Sequence, residues 1–175
     1  QDYVFLYRFI SPGAIVKSNY QTALIVGAGD GLSASIAHVF AEKGRMRIAL
    51  AARNPGKLAG LAKELGAYAL ECDVSDRSQV EKMFARADEC FGASPDVVVY
   101  NPSYRVRGPI LEVDPGEVAK ALAITAYGGF LVAQQAAKRM VSRGNGAILF
   151  TGASASVKGY PQSAAFAMGK FALRG

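Results

Sequence analysis

The sequence predicts an α/β protein with a doubly wound parallel sheet. Three observations carry this. Apolar strand-like runs alternate with helical stretches from about residue 22 onward, and the connections between them are short. The first run also stops at a glycine cluster with a helical segment directly behind it. That cluster reads Thr22-Ala-Leu-Ile-Val-Gly27-Ala-Gly29-Asp30-Gly31-Leu32-Ser33. A strand, a side-chain-poor turn and a helix in that order let backbone N–H groups approach a diphosphate at the positive end of the helix. A nucleotide-holding protein is the expectation.

The elements follow in order. A strand over 23–26 leads through the turn into a helix over about 32–43, which ends at Gly44. A second strand covers 47–52, and a short helix across 55–65 stops at Gly66. A third strand covers 68–72. Asp73-Val74-Ser75 then opens a helix across 77–90, with Val80, Met83, Phe84 and Ala87 on one face at helical spacing. Either Asp73 ends the strand with Ser75 capping that helix, or Asp73 touches a ligand. A fourth strand covers 96–100. Asp114-Pro115-Gly116-Glu117 is a strong helix start, with Asp at N-cap, Pro first and Glu at N3. That helix continues through Val118, Leu122, Phe130 and Val132 to about Met140. Gly144-Asn145-Gly146 is a turn, 147–151 is strand five, and a last helix begins near Gln162. The helical pattern reaches Gly175 without a stop signal, so the domain over 22–175 is expected to be C-terminally truncated. Residues 1–21 are read as an N-terminal extension. Its apolar opening is an added edge strand, a signal-peptide remnant or a stretch foreign to the domain, and at this length it is too short for a membrane span.

Composition narrows the function classes. Of 175 residues, 51% are hydrophobic and 19% charged, which suits a globular core and argues against disorder. The formal net charge of +6 is scattered, through Arg45, Arg47, Arg53, Arg105, Arg107 and others, with no basic run to favour nucleic acid. Cys72 and Cys90 have no metal-ligand spacing and read as reduced core thiols, which suits a cytoplasmic protein. His38, the single histidine, reads as structural, and no metal site is expected.

Taken together, the motifs from Thr22 onward resemble the short-chain dehydrogenase/reductase family. Gly27-Ala28-Gly29-Asp30-Gly31-Leu32-Ser33 stands where that family has its Gly-rich turn, with Ser33 replacing the last Gly, at some loss of tightness. Ala52-Arg53-Asn54 follows strand two, and Cys72-Asp73-Val74 ends strand three. Tyr100-Asn101-Pro102-Ser103 takes the place of Asn-Asn-Ala-Gly, and Phe166-Ala167-Met168-Gly169-Lys170 that of Tyr-x-x-x-Lys. The resemblance implies a Rossmann-type sheet, a small-molecule substrate and a homo-oligomer. It also implies a cofactor site drawing on Gly27, Asp30, Gly31, Leu32, Arg53, Asp73, Val74, Asn101 and Lys170.

Strand two bears on the cofactor. An acidic residue at its end selects NAD by accepting from the adenosine ribose hydroxyls. Here Ala52 stands in that place and Arg53 follows, and a guanidinium pairs with a 2′-phosphate, so NADP is expected, with NAD open. Asp30 in the turn argues the other way, and Arg53 also reads as a solvated surface arginine.

The catalytic set departs from the family. Phe166 stands at the Tyr position and has no proton to give, Thr125 takes the Asn position, and Ala153 the Ser position. Lys170 matches. Ser154, one residue on, is the candidate for orienting the substrate oxygen, and Tyr160 for supplying a hydroxyl, with Tyr104 as another source. Two functions follow: an NADP-dependent oxidoreductase with an altered catalytic set, or a degenerate homologue that binds a dinucleotide as sensor or partner subunit. A methyltransferase fits poorly, since Ala51-Ala52-Arg53 offers no acid.

Overall fold

Alternate residues along each central strand are apolar on both sides, so the strands can be covered on both faces. The computed structural model describes residues 4–10 and 19–175 and shows that arrangement. Strand β2 (Thr22–Val26) lies between β3 (Arg47–Ala52) and β5 (Val97–Tyr100). Outside them lie β4 (Tyr68–Glu71) and β6 (Asn145–Thr151), and all these neighbours are parallel. β1 (Val4–Ile10) completes the sheet, antiparallel to β6, from Val4 opposite Thr151 to Ile10 opposite Asn145. The strand order is β1-β6-β5-β2-β3-β4. Of the extension over 1–21, this segment is therefore an edge strand, while residues 1–3 and 11–18 lie outside the described residues.

The chain winds outward in opposite directions from β2, which opens a crevice at the carboxyl ends of β2 and β5. On one face Leu24, Val26, Ala51, Val98 and Tyr100 are buried with Met83, Phe84 and Met140. These last belong to α3 (Arg77–Phe91) and α5 (Gly128–Arg143). On the other face Ala23, Ile25, Ile48, Leu50 and Val99 are buried with Ala37 of α1 (Leu32–His38) and with Leu58, which precedes α2 (Ala59–Leu65). Each such Leu, Ile or Phe contributes about 1.5–3 kcal/mol of transfer free energy.

Asp96, just before β5, sets the register of the central pair. Its Oδ2 accepts from the N–H groups of Gln21 (2.8 Å) and Thr22 (3.1 Å) and from Thr22 Oγ1 (3.0 Å). Its own N–H donates to Thr22 Oγ1 at 3.0 Å.

Two helices carry a π-helical turn. In the first, α1 passes into Val39–Lys43. In the second, α4 (Pro115–Leu122) passes through Ala123–Tyr127 into α5. Over Pro115–Arg143 this composite helix is long and apolar enough to cross a membrane by length and composition. It is a core helix here, burying Ala121, Thr125, Leu131, Val132, Ala136 and Met140. Its glycines serve that packing: a Cβ at Gly128 would meet the Tyr100 hydroxyl at 2.6 Å, and one at Gly129 would meet Leu173 at 2.5 Å. Asp114 caps α4 as expected, accepting from the Glu117 N–H at 3.1 Å. Asp76, not Ser75, caps α3, accepting from the N–H groups of Ser78 and Gln79. Ser75 is instead held in a turn by Asp73, which accepts from both its N–H and its hydroxyl. The last helix, α6, spans Ala164–Arg174, two residues later than the pattern suggests.

Candidate active site

The Gly-rich turn is shaped by contact as well as conformation. Gly27 has φ +75, and a Cβ there would lie 2.7 Å from the Pro102 ring, so only glycine fits. The N–H groups of Gly27 and Ala28 both donate to the Ala51 carbonyl at 2.9 Å. The amides from Gly29 to Leu32 enter no hydrogen bond seen among the described residues. Ser33 tightens the turn rather than loosening it, contrary to the expectation from its size. Its buried hydroxyl donates to the Gly27 carbonyl at 3.0 Å and accepts from Asn101 Nδ2 at 2.7 Å. One oxygen thus ties the turn after β2 to the segment after β5.

A cavity of about 490 Å³ opens beside this turn. Of the predicted cofactor residues it is lined by Gly27, Asp30, Arg53, Asp73, Val74 and Asn101. Gly31 is the N-cap of α1 and Leu32 its first residue, and neither lines the cavity. Sequence reasoning missed Lys57. Asn54 caps a tight 3-10 turn over Pro55–Leu58, accepting from the Gly56 N–H at 3.1 Å, and so folds Lys57 back toward the end of β3. The Asn54-Pro55 pair was the available signal. Cys72 also lines this cavity, and burial first, then the negative Asp73 and Asp76, pushes its thiol up to about 12. Behind it the Tyr100 hydroxyl donates to the Ile124 carbonyl, and burial holds its pKa well above the ordinary phenol value.

A second cavity, of about 560 Å³, lies on the other side of the 101–107 loop. Ser154, Tyr160 and Phe166 line it together, so two of the three predicted catalytic residues meet there. Lys170 lines neither cavity, although its Nζ lies 6.0 Å from the centre of the Phe166 ring that borders the second. It is 3% exposed, and its Nζ donates to the Thr151 carbonyl at 2.7 Å. A buried ammonium needs an acceptor, and the end of β6 supplies one. Tyr104 lines the first cavity, but its hydroxyl donates to Glu117 Oε2 at 2.7 Å. Lys120 sits 4.6 Å above the Tyr104 ring, and Tyr104 and then Glu117 hold its pKa above the usual value. Thr125, buried in the π turn, accepts from the Tyr104 N–H at 3.2 Å and packs where a Cβ on Gly169 would come within 3.0 Å. It is a packing residue in this structure. Ala153, next to Ser154 in sequence, is buried and offers no hydroxyl.

The fold, the turn and the order of the motifs are those of a Rossmann-type α/β domain. Residues 21–175 match the short chain dehydrogenase family, and the chain belongs to it. It is 31% identical over 160 residues to D-threitol dehydrogenase of Mycolicibacterium smegmatis, covering 89% of this chain and 61% of that protein. It is 30% identical over 158 residues to versicolorin reductase of Emericella nidulans, covering 87% and 59%. Among solved structures, a short-chain dehydrogenase from Rhodopseudomonas palustris superposes with TM-score 0.78 at 33% identity, covering 88% of this chain and 74% of that one. An alcohol dehydrogenase from Thermococcus sibiricus complexed with 5-hydroxy-NADP gives 0.80 at 26% identity, covering 88% and 67%. The chain spans about three-fifths of the length of the curated relatives it matches.

Proposed function

We propose that the protein is an NADP-dependent oxidoreductase that interconverts a carbonyl compound and an alcohol. The observation that carries this is the cationic pair at the end of β3. Arg53 and Lys57 line the cavity next to the Gly-rich turn, and Ala52 stands where an acid would select NAD. The cradle suits a diphosphate: Gly27 leaves no room for a side chain, and the amides that follow have no acceptor among the described residues. Asp30 shares the cavity and opposes phosphate, so Arg53 and Lys57 must outweigh it. The 5-hydroxy-NADP bound to the Thermococcus sibiricus relative supports the same reading.

The nicotinamide, when bound, supplies the hydride. The chain's own part is to place the substrate oxygen and move its proton. Tyr160 is the proposed proton donor and Ser154 the group that orients the oxygen, since both face the second cavity. Lys158 Nζ lies 4.9 Å over the Tyr160 ring, a cation beside the group that would lose its proton. Lys170 is proposed to act through β6, holding the Thr151 carbonyl. Self-association through α5 and α6, which leave Phe130, Met168 and Phe171 half-exposed, and a cytoplasmic location, in keeping with two free thiols, complete the reading.

Fluorescence titration of the full chain with NADPH and NADH tests it. NADPH is expected to bind about tenfold tighter or more, the worth of charge-assisted bonds to the 2′-phosphate. Arg53→Ala is expected to remove that preference and leave NADH binding intact. Tighter binding of NADH, or an unchanged preference in Arg53→Ala, overturns the cofactor assignment.

A second reading has its own observation. Phe166 cannot transfer a proton, and Lys170 is spent on a backbone carbonyl. A dinucleotide-binding sensor or partner subunit would look the same. Carbonyl reduction that appears only in Phe166→Tyr would favour that reading, and turnover in the parent chain excludes it.

A further inference from the structure

The second cavity carries a charge pattern that hydride transfer does not require. Arg105 and Arg107 both line it, beside Ser154, Tyr160, Gln162 and Phe166, and no Asp or Glu does. Both arginines are exposed, and neither forms an ion pair with a carboxylate among the described residues. The Arg105 Cζ lies 4.7 Å over the Phe166 ring. A guanidinium held over an aromatic ring still has N–H groups free to donate, and a guanidinium can bind a planar oxyanion through a pair of hydrogen bonds. Phe166 thus has a use at a position where a hydroxyl is absent: it seats a cation.

The loop that bears the arginines is also anchored across the cavity. The Gly108 N–H donates to the Gln162 carbonyl at 3.1 Å, and Gln162 has φ +58. A long side chain in the left-handed region is strained and persists where its surroundings hold it, as at ligand sites. Cavity, cations and strained anchor converge on one place.

We propose that this cavity takes a carboxylate-bearing carbonyl substrate, with Arg105 and Arg107 binding the carboxylate. The word substrate rests on the oxidoreductase reading above, whereas the carboxylate site itself does not. Isothermal titration of the full chain, with and without NADPH, against oxamate and its neutral analogue oxamide tests it, because neither probe needs turnover. Oxamate is expected to bind about tenfold tighter or more than oxamide, as charge-assisted hydrogen bonds imply. Arg105→Gln is expected to remove most of that difference, and Arg105→Lys, which keeps the charge and loses the fork, to retain part of it. Circular dichroism of each variant confirms the fold, and Arg107→Gln gives an independent second measurement. Equal binding of the two probes, or an unchanged preference in both glutamine variants, overturns the proposal. Inorganic phosphate competing as well as oxamate also overturns it, since the site would then be one for oxyanions at large. If oxamate is preferred but NADPH does not bind, the oxidoreductase reading fails and the carboxylate site stands. If NADPH binds and oxamate is not preferred, the carboxylate site alone fails.

Discussion

Replacing Ser33 by alanine removes a single oxygen from the interior, yet two parts of the chain should loosen. The residue is 1% exposed, and its Oγ donates to the Gly27 carbonyl and accepts from Asn101 Nδ2. A net intramolecular hydrogen bond is worth about 0.5–1.5 kcal/mol, so losing two costs about 1–3 kcal/mol. The lower half of that range is expected, because Asn101 Nδ2 already lies 3.4 Å from the Gly27 carbonyl and can close on it. With a urea slope of about 2 kcal/mol/M, the unfolding midpoint should fall by about 0.5–1 M. The structure also dictates how the effect is shared. A double-mutant cycle with Asn101→Ala should show a coupling of about 1 kcal/mol, since each single change already breaks the common bond. Urea denaturation followed by circular dichroism measures all four corners. A midpoint drop in Ser33→Ala below about 0.2 M, or strict additivity in the cycle, would refute the bridge as a stabilising element.

Three further expectations concern stability. Gly27→Ala places a Cβ 2.7 Å from the Pro102 ring at φ +75, and left-handed strain plus overpacking together cost about 2–5 kcal/mol. A wild-type melting temperature in that variant would contradict the contact. Asp96→Ala leaves the Gln21 and Thr22 amides without their acceptor and should cost about 2–4 kcal/mol, while Asp96→Asn, which keeps an oxygen, should cost less. Equal thermal shifts for the two variants would refute the assignment. The Cys72 thiol, raised from 9.0 to about 12, stays protonated when the unfolded chain has already ionised. The Cys72 contribution to stability is therefore level below pH 9 and falls as pH rises toward 12, a fall that Cys72→Ala should flatten in urea midpoints taken across that range.

Periodicity made most of the sheet legible, because buried parallel strands are continuous apolar runs closed by glycine or by a cap. The strand 47–52 and the Asp114 cap stand where the pattern put them. The π turn at Ala123–Tyr127 was not legible, since nothing in its residue types marks it, and Thr125 within it meets Gly169 only through the tertiary fold. Motif spacing located the first cavity through Gly27, Arg53 and Asp73, but Lys57 needed the 3-10 turn to fold back. Lys170 is a related case. Its position in the helix is readable, whereas its choice of the Thr151 carbonyl is a tertiary matter. Arg105 and Arg107 read as scattered surface charge until Gln162 and Phe166 are brought opposite them by the fold.

The antiparallel strand at the start of the chain has a consequence for solubility. A parallel sheet leaves a row of unsatisfied amides and carbonyls along each outer margin, and such a row is a template for other chains. At one margin β4 is only four residues long, which blunts the hazard. At the other, Val4–Ile10 pairs with the seven-residue β6 along its whole length, so the open margin passes from β6 to β1. The hazard is thereby moved to β1 and not abolished, while the strand bearing Thr151, whose carbonyl receives the Lys170 ammonium, is kept inside the sheet.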